Sequence, residues 1–366
     1  MSDPLRHVKP AVRELRAYTL ALQAARVKLD QNESPFDLPE PVKRRVMEAA
    51  LRRPWSRYPP FSPAPFLEKL AAHAGWRGDG VLAGNGSNEL IEALLLVTVG
   101  EGTPVVIPEP TFTLYALITK ILGGRAVRAP LGDDLGYDAA ALARARRENA
   151  APLTIACSPN NPTGGALAMD AIEALCDEAD GLVVVDEAYG EFAGVSAVPL
   201  LERHPNLVVL RTFSKALGLA GLRVGYLLAA PELVSEVNKA RLPYNLNFFS
   251  QLAAEAALEE RQLLRERTAA LVAERERLRA ALGDMEGVRP FPSLANFVLV
   301  ELQNAAPGAV HAALAERGIL VRDVSGYPRL GRHLRLSVGS PGENDALLEA
   351  LPEALRACRA ETEVGS

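Results

Sequence analysis

The chain has 366 residues, 48% of them hydrophobic and 23% charged, so it is an ordinary globular chain too long for one ordinary core, and two domains are expected. A net charge of −5 with no basic run argues against nucleic acid as a partner. No apolar stretch approaches ~18 residues and the N-terminus lacks a signal-peptide core, which makes a cytoplasmic protein without a membrane span the expectation. Three lone cysteines (Cys157, Cys176, Cys358) and five scattered histidines suggest neither a disulfide framework nor a metal site.

Residues 1–30 are polar with a few apolar anchors, among them Val12, Leu15 and Tyr18, and read as an arm that packs on something larger. Proline and turn formers end the stretch from Lys28 to Phe36. Glu40 to Leu51 reads as a helix with Val42, Val46, Ala49 and Ala50 on one face. Two prolines between Trp55 and Phe61 exclude a helix there; Phe66 to Ala74 is a short one. Gly84 to Glu89 is a glycine-rich loop opening a helix to Val97, with Ser87 or Asn88 as N-cap candidates. Free N–H groups at such a helix start bind phosphate, though many such loops are only turns. The loop is not the dinucleotide fingerprint, because Glu89 stands in the third glycine's place.

Strand and helix then alternate. Strands run from Pro104 to Ile107, Arg125 to Ala129, Leu153 to Ala156, Leu182 to Tyr189, Leu207 to Leu210 and Val224 to Ala229. Helices are expected up to Leu122, over Asp138 to Glu148 and over Met169 to Ala179. The alternation predicts an α/β fold with a mostly parallel sheet sandwiched by helices, whose ligands sit at the carboxyl ends of the strands. Asn161, Asp186 and Lys215 lie at or just past such ends. The glycine-spaced stretch from Thr212 to Gly225 holds Lys215 and Arg223 between two buried strands. A lysine there costs stability unless it is paired, neutral or covalently used, and a Schiff base with pyridoxal phosphate is the commonest such use. Taken alone, the stretch reads equally well as a surface loop.

After a helix from Pro231 to Arg241, a charge-rich helical stretch from about Phe249 to Leu282 bridges to a smaller α/β domain. That domain holds strands at Asn296 to Glu301, Ile319 to Arg322 and His333 to Val338, with helices at Ala309 to Arg317 and Glu343 to Arg356. The expected division is an N-terminal arm over 1–35, a large domain over 36–250 and a small C-terminal domain over 251–366.

Four stretches in order carry a resemblance: Gly84 to Glu89, Asn161-Pro162-Thr163-Gly164, Asp186-Glu187-Ala188-Tyr189, and Ser214-Lys215 with Arg223. They resemble fold-type I pyridoxal-phosphate enzymes, and among these the aminotransferases of the aspartate aminotransferase superfamily, over nearly the whole chain. The resemblance implies pyridoxal 5'-phosphate as cofactor and Lys215, Asp186 and Tyr189 as the catalytic set. Lys215 would form the Schiff base and later carry a proton to and from the substrate's Cα. Asp186 would hold the pyridinium N–H, which keeps the ring cationic. Asn161 and Tyr189 would hydrogen-bond the ring hydroxyl, and Phe112 would stack on the ring. Ser87, Asn88, Thr212, Ser214 and Arg223 would bind the phosphate, the last through its bidentate fork.

Lys28 to Pro35, Arg57-Tyr58-Pro59 and Leu334-Arg335-Leu336-Ser337-Val338-Gly339 are similar to segments of the histidinol-phosphate aminotransferase branch. That likeness implies a homodimer in which Tyr58 crosses to the neighbouring subunit's cofactor. It also implies that Tyr18, Asn32, Tyr244, Arg322 and Arg335 contact substrate. The implied reaction is transamination of L-histidinol phosphate with 2-oxoglutarate, giving imidazole acetol phosphate and L-glutamate, in histidine biosynthesis. Ser34 stands where the branch often has asparagine, and Phe112 replaces a tyrosine; both leave the substrate range open. An aromatic or broad-range aminotransferase and a threonine-phosphate decarboxylase-like lyase are the alternatives.

Overall fold

The structure, a computed structural model, describes residues 3–15, 25–178 and 180–364, with side chains to 358. Twelve strands are described, in two sheets. In chain order they are β1 (Val27–Leu29), β2 (Val81–Gly84), β3 (Pro104–Glu109), β4 (Arg125–Pro130), β5 (Leu153–Cys157), β6 (Leu182–Asp186), β7 (Leu207–Thr212), β8 (Gly225–Leu228), β9 (Val288–Pro290), β10 (Phe297–Leu302), β11 (Ile319–Asp323) and β12 (His333–Ser337).

The first sheet has the order β2-β8-β7-β6-β5-β3-β4. The pairs from β7 through β6, β5 and β3 to β4 are parallel, and β8 runs antiparallel to both β7 and β2. Its central strands are apolar runs because helices cover both faces. On β6, Val184 joins one apolar cluster while Val183 and Val185 join the other; on β7, Val208 and Leu210 oppose Leu207 and Val209 in the same way. This alternation places every residue of these runs in a core. The edge strand β4 is the polar one, with Arg125 and Arg128 exposed.

The second sheet has the order β1-β11-β12-β10-β9. Here β1 pairs in parallel with β11, Val27 opposite Ile319, and the other pairs are antiparallel. Residues 27–29, read above as part of an arm, therefore supply a strand to this sheet. The chain leaves β1 through Asp30 to Phe36 and reaches the first sheet's helices, so residues 30–36 span the gap between the two sheets.

Four local expectations are corrected. Strand β6 stops at Asp186 rather than Tyr189, because the chain turns there, with the Gly190 N–H donating to the Glu187 carbonyl at 2.9 Å, into the short helix Gly190–Ala193. Gly86, not Ser87 or Asn88, is the N-cap of helix Ser87–Thr98, because only glycine tolerates its φ of 81° and ψ of 162°. The stretch from Phe249 to Leu282 is two helices, Phe248–Glu259 and Arg261–Gly283, interrupted at Glu260 with ψ 38°. No glycine or proline marks that break; Glu260 instead pairs with Arg45 on another helix at 2.7 Å. The C-terminal helix is longer than read, Pro341–Val364, and contains Pro352. No described helix is long and apolar enough to cross a membrane.

Candidate active site

A cavity of about 370 Å³ opens at the carboxyl ends of β5, β6 and β7 and is closed from the other side by residues 30–33 and by Arg322 and Arg335 of the second sheet. Thirteen of the sequence-predicted residues line it: Asn32, Ser87, Asn88, Phe112, Asn161, Asp186, Tyr189, Thr212, Ser214, Lys215, Arg223, Arg322 and Arg335. They come from distant parts of the chain because parallel strands deliver every following loop to one edge.

Lys215 follows β7. Its Nζ donates to the Gln31 carbonyl at 2.8 Å and lies 5.9 Å from the centre of the Tyr189 ring. Protein surrounds the amine, which keeps partial exposure only because it opens on the cavity. Burial brings its pKa down to about 7, with Arg335 and Arg223 assisting and Glu33 opposing. Near pH 7 a substantial fraction of the amine is therefore neutral, and a neutral amine is a nucleophile and a base.

Asp186 ends β6 and is 3% exposed. Its Oδ2 accepts from the Tyr115 hydroxyl at 2.6 Å and its Oδ1 from the Ala188 N–H at 3.0 Å. Burial pushes its pKa up to about 6 against those two donors. The carboxylate is thus ionised at neutral pH but poorly compensated, which suits it to a cationic N–H from the cavity.

The loop–helix start forms an anion cup. No side chain caps helix Ser87–Thr98, which leaves the N–H groups of its first turn to the cavity side. Gly225 lies so close beneath that an added Cβ would sit 2.3 Å from the Ser87 nitrogen, and one on Gly86 would sit 2.4 Å from the Arg223 guanidinium. Ser214 Oγ accepts from Arg223 at 3.2 Å, and Thr212 Oγ1 donates to it at 3.0 Å. Arg223 itself is left-handed, with φ 53°, a strained state for a side chain-bearing residue.

The opposite wall is a hydrogen-bond network. Arg335 donates to Asn161 Oδ1 at 2.7 Å and to the Asp30 carbonyl at 2.6 Å, both neutral acceptors. Asn32 donates through Nδ2 to the Tyr189 hydroxyl at 3.0 Å and is itself held by Ser337 and Asn296. Burial holds the Tyr189 hydroxyl well above the usual phenol range, so it stays protonated. Phe112 lies edge-on to Tyr115, centroids 5.6 Å apart.

Two predicted residues lie elsewhere. Tyr58 and Tyr244 do not line this cavity; their rings stack on each other at 4.4 Å, with Phe61 edge-on to Tyr244 at 5.8 Å. Tyr58 is 80% exposed. Tyr18 falls outside the described residues. Sequence reading missed Tyr115, Gln31, Asn160 and Tyr327. Tyr327 lines the cavity beside Arg322, and Asn160 fixes the Asn161 turn through Thr111, Thr163 and the Pro110 carbonyl. The adjacency of Asn160 to Asn161 was the one visible signal; Tyr115 looks like any core aromatic in an apolar helix.

Residues 25–351 match the family described as aminotransferase class I and II. The histidinol-phosphate aminotransferase of Chlorobium phaeovibrioides is 39% identical over 351 residues, covering 95% of this chain and 97% of that protein. Its counterpart in Chlorobium phaeobacteroides is 40% identical over 346 residues, covering 94% and 96%. The crystal structure of histidinol-phosphate aminotransferase from Sinorhizobium meliloti, in complex with pyridoxal-5'-phosphate, superposes with a TM-score of 0.87 at 30% identity, covering 96% of this chain and 98% of that one.

Proposed function

The chain belongs to the class I and II aminotransferases, and from that premise we propose that it is a pyridoxal-phosphate-dependent transaminase of histidine biosynthesis. It moves the amino group of L-histidinol phosphate to 2-oxoglutarate, giving imidazole acetol phosphate and L-glutamate. The observation that carries this reading is the convergence of a neutral-leaning lysine, a buried carboxylate and an anion cup on one cavity.

The donor set fits the cofactor. The cup at Ser87, Asn88, Thr212, Ser214 and Arg223 has the N–H groups, hydroxyls and guanidinium that a phosphate takes, and the close approach at Gly225 leaves no room for a Cβ. When bound, pyridoxal phosphate supplies the carbonyl that takes up the amino group and a cationic ring that draws electrons from the carbon losing its proton. Asp186 holds the proton at the ring nitrogen. Asn161 and Tyr189 would hold the cofactor's hydroxyl, and Phe112 would pack against its ring. Lys215 Nζ moves the proton at the substrate's Cα; with its pKa near 7 the amine is free to accept one at neutral pH.

Arg335 and Arg322 are the substrate's anion partners in this reading. Glutamate brings two carboxylates and histidinol phosphate a phosphate, so arginine forks that accept either group serve both half-reactions. Asn32 acts on substrate and through Tyr189. Tyr58 and Tyr244 form an exposed aromatic pair that fits a homodimer, Tyr58 reaching the neighbouring subunit's site, and Tyr18 completes the substrate pocket. Division into an arm (1–35), a large domain (36–250) and a small domain (251–366), and a cytoplasmic location, complete the proposal. Lys215→Ala should abolish turnover while the protein still folds; transamination at the wild-type rate would sink the assignment.

A further inference from the structure

The reading of Asp186 requires an ionised carboxylate at the ring nitrogen, yet both of its hydrogen-bond donors are neutral. One is a backbone N–H two residues on. The other, the Tyr115 hydroxyl, reaches it from helix Leu114–Ile121, and Tyr115 is 0% exposed. Burial and the neighbouring carboxylate hold that phenol well above its ordinary range, so it remains a protonated donor throughout the working pH. A hydrogen bond to a charged acceptor is among the stronger ones, and in a dry site it stabilises the ionised form over the neutral one. The same ring lies edge-on to Phe112, the residue that lines the cavity above it.

We propose that Tyr115 is a positioning residue for the cofactor's ring nitrogen, acting through Asp186: its hydroxyl keeps the carboxylate ionised and fixes its direction. The inference rests on the pyridoxal-phosphate reading above. The other titratable groups around Asp186 are Cys157 on β5, Tyr137 ahead of the following helix, and Glu187 and Tyr189 beyond its own strand. Cys157 and Tyr137 are kept protonated by burial, and Glu187 pairs with Arg211 at 2.7 Å, so among these neighbours Tyr115 is the one that donates to the carboxylate.

The test is cofactor affinity against pH. Pyridoxal phosphate is titrated into the full chain between pH 5 and 8, followed by absorbance, for wild type, Tyr115→Phe and Tyr115→3-fluorotyrosine. Wild-type affinity should fall as pH drops through about 6, where Asp186 takes a proton. Removing the donor should raise that midpoint by about one unit, roughly a tenfold loss of affinity on the acid limb. The fluorinated phenol, a stronger donor of nearly the same shape, should lower it. Lys215 and the cofactor phosphate titrate in every variant, so the difference between variants reports Asp186. Coincident midpoints in wild type and the variants would overturn the proposal even if melting temperatures differ, since a merely structural role would not move the profile. If Phe at 115 prevents folding, the fluorotyrosine protein alone decides, an unshifted midpoint overturning the proposal. A wild-type chain that binds no cofactor at any pH would overturn this inference together with the function it rests on; a binding wild type with unmoved midpoints overturns only the inference.

Discussion

Arg223→Gly separates what the backbone needs at this position from what the cup needs. Arg223 sits at φ 53° and donates to Ser214 Oγ at 3.2 Å and to the Ala220 carbonyl at 3.0 Å. Releasing a non-glycine residue from the left-handed region gains about 1–2 kcal/mol. Glycine's extra chain entropy takes back roughly 0.5–1 kcal/mol, and two hydrogen bonds donated by the charged guanidinium, at about 1.5 kcal/mol each, are lost. The sum is a net loss of about 1.5–3 kcal/mol, so the cofactor-free protein should be moderately less stable than the wild type. Cofactor affinity should fall as well. Deleting one partner of a buried, hydrogen-bonded charge pair costs about 2–5 kcal/mol, roughly 30-fold to a few thousand-fold in affinity. Urea unfolding of the cofactor-free variant, set beside a pyridoxal phosphate titration, reads both numbers. An unchanged cofactor affinity would refute the assignment of Arg223 to the cup.

Asp186→Asn should make the cofactor-free protein more stable at pH 7 while abolishing turnover. The folded pKa, raised from 3.8 to about 6, means that Asp186 favours folding fully below pH 3.8 and loses that contribution as pH rises through 6. The gain at pH 7 is on the order of 1–3 kcal/mol and should vanish towards pH 4, which denaturation at the two pH values checks. Glu187→Ala leaves the largely buried Arg211 guanidinium with Glu191, at 3.0 Å, as its remaining carboxylate partner; a loss of about 2–4 kcal/mol is expected, and a loss under about 1 kcal/mol contradicts the pairing. For the dimer, subunits carrying Tyr58→Ala and subunits carrying Lys215→Ala should each be impaired, but mixing them should restore activity, because each hybrid assembles one intact site. No recovery on mixing would argue that Tyr58 does not act across subunits.

The parts of this site legible in sequence were those that punctuate it. Asp186, Lys215 and Asn161 announce themselves because a polar group follows an apolar strand run, and Gly86 and Gly225 mark a close approach of backbone to backbone. What stayed hidden depends on neighbours across the fold. Tyr115 gives no polar signal in an apolar helix, and its function appears only when Asp186 is seen 2.6 Å away. Strand β1 is three residues long with an exposed lysine in its centre, and its pairing with β11 lies almost three hundred residues on, so no local period reveals it. The interruption at Glu260 carries no glycine or proline to announce it, and the Arg45 partner that Glu260 meets there lies more than two hundred residues away. Tyr58 and Tyr244 could each be singled out, but not that they stack on one another away from the cavity.

One half-reaction decides both the cofactor and the substrate. Protein loaded with pyridoxal phosphate is mixed with L-histidinol phosphate and no keto acid while the cofactor's long-wavelength absorption is followed. The band should bleach, and 2-oxoglutarate should restore it. A band that ignores histidinol phosphate but bleaches with phenylalanine would contradict the proposed substrate, and a protein that develops no band would contradict the assignment of Lys215.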